Sequence, residues 1–233
     1  MSVAASTEEI LDIAKLREQD LEEARIIQDV MLPAHPLRKG RVMISHAFQP
    51  MLEVGGDYLD YFALSDGKIG LYVGDVSGKG LPAALYAALA VGTLRGIHKT
   101  GMLPSRVLSV LNQRLLLRGS PGRHSAIQYA VFDPATSTIQ IASAGMAGPF
   151  LLRGNECSIL KTAGIPPGLF AEASYDDIVL ELRPGDSLFF CTDGLTEARS
   201  GDDRESKSRV CRKSAKAIWT RVPLSCLDGF SQP

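Results

Sequence analysis

The stretch IGLYVGDVSGKGLPAAL, residues 69–85, carries three signals in a fixed order. Ile69 to Val73 is a short apolar run that reads as the inner part of a buried strand over Lys68 to Val76. Gly74-Asp75 and Gly78-Lys79-Gly80 then punctuate a turn. From Leu81 the pattern becomes helical and stays apolar to His98. The arrangement superficially suggests a phosphate loop, but that motif needs a glycine five positions before Gly78 and a Ser or Thr after the lysine. Val73 and Gly80 occupy those places, so the nucleotide-loop reading fails on spacing. What remains is a carboxylate at the end of a buried strand, facing a turn.

Two other aspartates share that setting. Gly55-Gly56-Asp57-Tyr58-Leu59-Asp60 precedes a strand over Tyr58 to Leu64, and Thr192-Asp193-Gly194 follows one over Ser187 to Thr192. A single Asp-Gly pair reads as an ordinary turn. Three acidic turns at the ends of apolar strands suit a hard cation, which takes oxygen ligands and keeps several waters. Further strands are expected over Val42–Phe48, Ala126–Phe132, Thr138–Ala144, Phe150–Arg153, Cys157–Lys161 and Ile178–Leu182, with a helix opened by Pro104. Strands in runs with two helices between them argue an α+β fold of antiparallel sheets flanked by helices, not a βαβ repeat.

Ahead of this region, Ser6-Thr7-Glu8-Glu9 fits a capping box for a helix reaching Val30. Its apolar stripe is interrupted by Arg17 and Gln28, which suits either packing on its own domain or pairing with a partner helix. After Arg199 the texture changes: residues 204–221 hold seven Lys/Arg against one acid, Glu205.

The 233 residues are 45% hydrophobic and 22% charged with a net charge of -1, which gives no reason to invoke nucleic acid as a partner. Leu81 to Ile97 contains Pro82 and Arg95 and is shorter than the roughly 20 apolar residues of a membrane span. No secretion signal is seen, so a cytoplasmic location is expected. Cys157, Cys191, Cys211 and Cys226 show neither CxxC pairing nor zinc spacing and read as reduced thiols. His35, His46, His98 and His124 share no ligand spacing.

GGDYLD, VGDVSGKGLPAAL, Ser143-Ala144-Gly145 and CTDGLTEAR (191–199), in this order, resemble the bacterial SpoIIE/RsbU branch of the PPM metal-dependent protein phosphatases. The segment from Ala24-Arg25-Ile26-Ile27-Gln28 to Leu32-Pro33 resembles that branch's first helix. The resemblance implies a sandwich of two antiparallel β-sheets with Mn2+ or Mg2+ ions, paired in the family, between them. It implies that Asp75 bridges the ions, that Val76 gives its carbonyl, that Asp193 is a further ligand, and that Asp57 holds metal-bound water while Asp60 supports the strand end. It also implies dephosphorylation of phosphoserine or phosphothreonine on a protein, a STAS-type anti-anti-sigma factor being the expected substrate, and Gln28 as a regulatory contact. Two departures stand out: Met146 where the family commonly has His, and no match after Arg199 for its terminal Asp-Asp strand. The alternative is therefore a phosphatase-fold binding module with impaired turnover. The expected division is a linker or dimerisation helix at 1–33, a phosphatase domain at 34–200 and an atypical basic tail at 201–233. A homodimer through the first helix or an open sheet edge is the expected assembly.

Overall fold

The computed structural model describes residues 3–50, 52–97, 101–118 and 122–196. Helix α1 (Val3–Val30) leads into a small hairpin of β1 (Leu37–Lys39) and β2 (Val42–Ile44), then β3 (Tyr58–Ala63) and β4 (Ile69–Val76). Helices α2 (Leu81–Ile97) and α3 (Pro104–Arg118) follow, then strands β5 (Ser125–Asp133), β6 (Thr138–Ala144), β7 (Phe150–Arg153), β8 (Glu156–Ile159), β9 (Ile178–Glu181), β10 (Ser187–Phe189) and the short helix α4 (Asp193–Thr196). The expected α+β class holds: the strands form a five-stranded sheet β3-β4-β5-β6-β9 and a three-stranded sheet β10-β7-β8, with every strand pairing antiparallel.

Strand β4 lies inside the large sheet because its side chains are buried on both faces, the pattern its apolar run predicts. Two of its residues, Gly70 and Gly74, stand opposite Phe62 and Tyr58 of β3. A Cβ at either glycine would overlap the facing ring, so the aromatic rings lie over bare backbone. One sheet face packs Tyr58, Tyr72, Tyr129 and Ala142 against Ala83, Ala87, Ala90 and Leu94 of α2 and Val107, Leu108, Leu111 and Leu115 of α3. Alanines on α2 allow this close helix-on-sheet approach. The other face packs Ile69, Leu71, Ala130, Phe132, Ile139 and Ile141 against Val42, Leu160 and Leu188. The two-residue period of β4 puts Asp75 on this second face.

Several expectations shift in detail: β2 ends at Ile44, short of the expected Phe48, and β8 ends at Ile159, short of Lys161. Helix α1 begins at Val3, so Ser6 lies within it and does not cap it. The short polar strand β1 carried no apolar alternation and was not expected. Strand β10 ends at Phe189, which leaves Cys191 and Thr192 in the turn before α4. Among the described residues no helix is long and apolar enough to cross a membrane. The basic segment at 201–233 lies outside the described residues.

A clasp joins the two sheets. Asp186, its side chain 3% exposed, accepts bonds from Arg153 Nε at 3.0 Å and Nη2 at 2.6 Å and from the Arg183 backbone N–H at 2.8 Å. Arg153, at the end of β7, also donates to the Glu181 carbonyl at the end of β9. The bond from Arg153 holds the Asp186 carboxyl below the usual carboxylate range. A depressed folded-state pKa stabilises the fold above the unfolded value and is lost as pH falls through the folded one. Asp186→Ala leaves the guanidinium with only the Glu181 carbonyl and is expected to lower stability, measured by urea unfolding at pH 7, with the difference from the parent shrinking towards pH 3.

Candidate active site

The three aspartates singled out by the sequence lie on three separate elements that meet at one end of the sandwich. Asp57 sits in the turn entering β3, Asp75 and Val76 end β4, and Asp193 opens α4. Gly56 brings the first two together: a Cβ there would stand 2.7 Å from the Val76 carbonyl oxygen and 3.1 Å from Asp75 Oδ1. Only glycine lets the turn lie this close to the strand end, which explains the glycine immediately ahead of Asp57.

Beside the turn lies a cleft of about 80 Å³ whose lining includes Asp75, Thr192, Asp193, Gly145, Met146 and Ala147. Burial pushes the Asp75 carboxyl up to about 6, and the nearby charges of Asp57 and Asp193 add to the rise. Asp57 is also raised, first by burial and then by Asp193, against the opposing effect of a hydrogen bond with Thr192. The carboxylates therefore feel one another through space. Among the described residues, however, no three His, Cys, Asp or Glu side chains are gathered tightly enough to form a closed cage. Two or three carboxylates, one carbonyl and an open side is a donor set suited to a hard divalent cation that retains water, and unsuited to a soft ion.

Gln28 is the one buried residue described in α1. Its Nε2 donates to the Gly55 carbonyl at 2.7 Å, and its Oε1 accepts from the Gly55 N–H at 3.1 Å. The polar break in the helix stripe thus grips the residue next to Gly56. Asp60 accepts from Arg95 Nε at 2.9 Å, and Arg95 Nη2 donates to the Met31 carbonyl, so Asp60 supports the strand and stays out of the cleft. Tyr58 OH and Ser125 Oγ form a buried 2.5 Å bond that ties the start of β3 to β5. Sequence reading missed Thr192 as the partner of Asp57; its place one residue before Asp193 was the available signal. It also missed Gln128, a polar residue inside the apolar run of β5.

An α+β sandwich of antiparallel sheets with an acidic cleft at the strand ends is the architecture of the PPM-type phosphatase domains. The family profile described as Stage II sporulation protein E (SpoIIE) matches residues 65–228, and the chain belongs to that family. The match runs beyond the described residues into the basic segment. The phosphoserine phosphatase RsbU of Bacillus subtilis is 26% identical over 183 residues, covering 78% of this chain and 54% of that protein. The chain thus spans about half the length of that relative. Among solved structures, the SiaA-PP2C domain of Pseudomonas aeruginosa superimposes with a TM-score of 0.67 at 23% identity, over 93% of this chain and 86% of that one. The RsbU and RsbW domains of Rv1364c from Mycobacterium tuberculosis give 0.61 at 26% identity, over 75% and 49%.

Crowded carboxylates have a consequence that can be measured without a substrate. Because the folded-state pKa of Asp75 is above that of the unfolded chain, folding takes up a proton. The contribution of Asp75 to the stability of the metal-free protein then falls as pH rises from about 4 to about 6 and does not recover above it. Asp75→Asn is expected to raise the metal-free melting temperature at pH 7 and to have little effect at pH 4, read by calorimetry in chelator. A lower melting temperature at pH 7 would argue that Asp75 is stabilised by a partner.

Proposed function

We propose that the chain is a metal-dependent phosphoprotein phosphatase acting on phosphoserine or phosphothreonine. Asp75 and Asp193 lining one cleft, with Asp57 felt electrostatically by both and set against the end of β4 across Gly56, carry this reading, and membership of the SpoIIE family supports it. Asp75 and the Val76 carbonyl would hold Mn2+ or Mg2+, with Asp193 as a further ligand. When bound, the ions supply an acidified water and charge stabilisation for an in-line displacement. Asp57, kept in place by Thr192, orients water at the edge of the site. The Gly145–Ala147 side bounds the cleft where the substrate protein approaches.

The protein substrate is assigned as a phosphorylated STAS-type anti-anti-sigma factor in a cytoplasmic signalling route, on the resemblance of the motifs to the SpoIIE/RsbU branch. Gln28 is assigned a regulatory role: its two bonds to Gly55 connect the position of α1 with the turn that holds Asp57. The largely exposed α1, with Ile10, Leu16, Ile26 and Val30 at 54–76% exposure, is assigned to pairing with a second copy. Strand β10, at the edge of its sheet among the described residues, is the alternative dimer surface. One observation favours a second reading, a binding module with weak turnover: the described carboxylates do not close into a cage.

Hydrolysis of a phosphoserine peptide is expected to require added Mn2+ or Mg2+ and to be lost in Asp75→Asn, with calorimetric Mn2+ binding lost in parallel. Tight capture of the phosphopeptide without hydrolysis would favour the binding module. Gln28→Ala leaves both Gly55 backbone groups without their partner and is expected to lower turnover about tenfold while leaving the melting temperature within a few degrees of the parent. The positioning of a reacting group is sensitive to displacements of this kind. A normal rate in Gln28→Ala would remove the helix from control of the site.

A further inference from the structure

The Gly145–Ala147 wall of the cleft is held from beneath by a pair of buried polar side chains. Gln128 of β5 and Ser143 of β6 face each other across the strands, 0% and 3% exposed. Gln128 Nε2 donates to the Ala147 carbonyl, and Ser143 Oγ donates to the Met146 carbonyl at 3.2 Å. The segment is pinned at its ends as well. Gly145 N–H donates to the Gly164 carbonyl at 2.8 Å, and Gly148 lies so close to Leu160 that a Cβ would overlap its carbonyl. Three consecutive lining residues, Gly145, Met146 and Ala147, are therefore fixed to the sheet.

Gln128 is an odd choice for this purpose. It stands inside the buried strand, between Ile127 and Tyr129, and its Oε1 has no hydrogen-bond partner among the described residues. A buried acceptor left in that state opposes folding. An apolar side chain of similar length would fill the same space without the penalty, so the stability of the sheet does not account for the amide. Its one bond goes to the cleft wall.

We propose that Gln128 is a positioning residue that fixes the Met146–Ala147 wall for the protein substrate. The inference rests on the phosphatase reading and adds to it a division of labour. The aspartate side carries the chemistry, and the wall carries recognition of the polypeptide around the phosphoresidue. With Met146 and Ala147 supplying apolar, uncharged contacts, the wall suits small or apolar residues next to the phosphoserine.

The test compares Gln128→Leu with the parent chain. The expected result is a melting temperature equal to or above that of the parent, with faster hydrogen exchange confined to residues 145–148. For a phosphoserine peptide with apolar neighbours, KM is expected to rise about tenfold, equivalent to about 1.4 kcal/mol. The kcat for p-nitrophenyl phosphate, which lacks a polypeptide, stays within about twofold of the parent, and Mn2+ binding is unchanged. A purely structural role predicts a lower melting temperature with KM unchanged, and that result overturns the proposal, as does unaltered exchange at 145–148. Absence of metal-dependent hydrolysis in the parent would instead sink the phosphatase reading. The melting and exchange measurements would still decide whether Gln128 holds the wall.

Discussion

The space that a side chain at position 56 would need is already taken by a carbonyl oxygen and a carboxylate, and the geometry of the site depends on that crowding. With glycine there, the turn before β3 lies against the last two residues of β4. Asp57 then cannot move independently of Asp75. The neighbouring contacts reinforce the same alignment: Tyr58 is fixed over Gly74 and bonded to Ser125, while Gln28 takes both backbone groups of Gly55. Helix, turn and two strands are thus registered against one another within a few residues of the acidic cleft.

Electrostatics at the cleft work against folding and are tolerated because the rest of the domain is well packed. Burial and mutual repulsion raise Asp75 and Asp57. The aromatic and alanine-rich core under α2 and α3, and the clasp of Arg153 and Asp186 between the sheets, lie outside that cluster. Charge crowding of this sort, offset by packing elsewhere, is the pattern of side chains kept for function and not for stability.

Much of this was legible in the sequence because the decisive residues sit beside glycines at the ends of apolar runs. Lys68 to Val76, Leu81 to His98 and Thr138 to Ala144 announce their elements through period and punctuation, and the three aspartates follow from the same signals. Sheet connectivity did not follow. Strand β9 joins β6 in one sheet, while β10, five residues further on, joins β7 in the other, a choice made by non-local packing that local pattern does not encode. Strand β1 is too short and polar to register as a period. Gln28 was visible as a break in a stripe, but its partner Gly55 lies 27 residues away. Gln128 looked like an ordinary polar position in a strand, since nothing local distinguishes an amide that faces solvent from one that reaches under a loop.

The order of strands also bears on how the chain finds its fold. The pairs β3–β4 and β5–β6 are hairpins joined by short turns, and α2 and α3 adjoin in sequence, so each unit forms from local contacts. The seam between β4 and β5 joins Val76 to Ser125, and the helices must be accommodated between them before it closes. Non-local pairing of this kind slows folding because loop-closure entropy is lost before the contacts reward it. Asp75 and Gln128 both lie along that seam. Asp75 and the amide beneath the cleft wall therefore meet only through a pairing that spans both helices, and a chain with its two hairpins formed but this seam open would have no site.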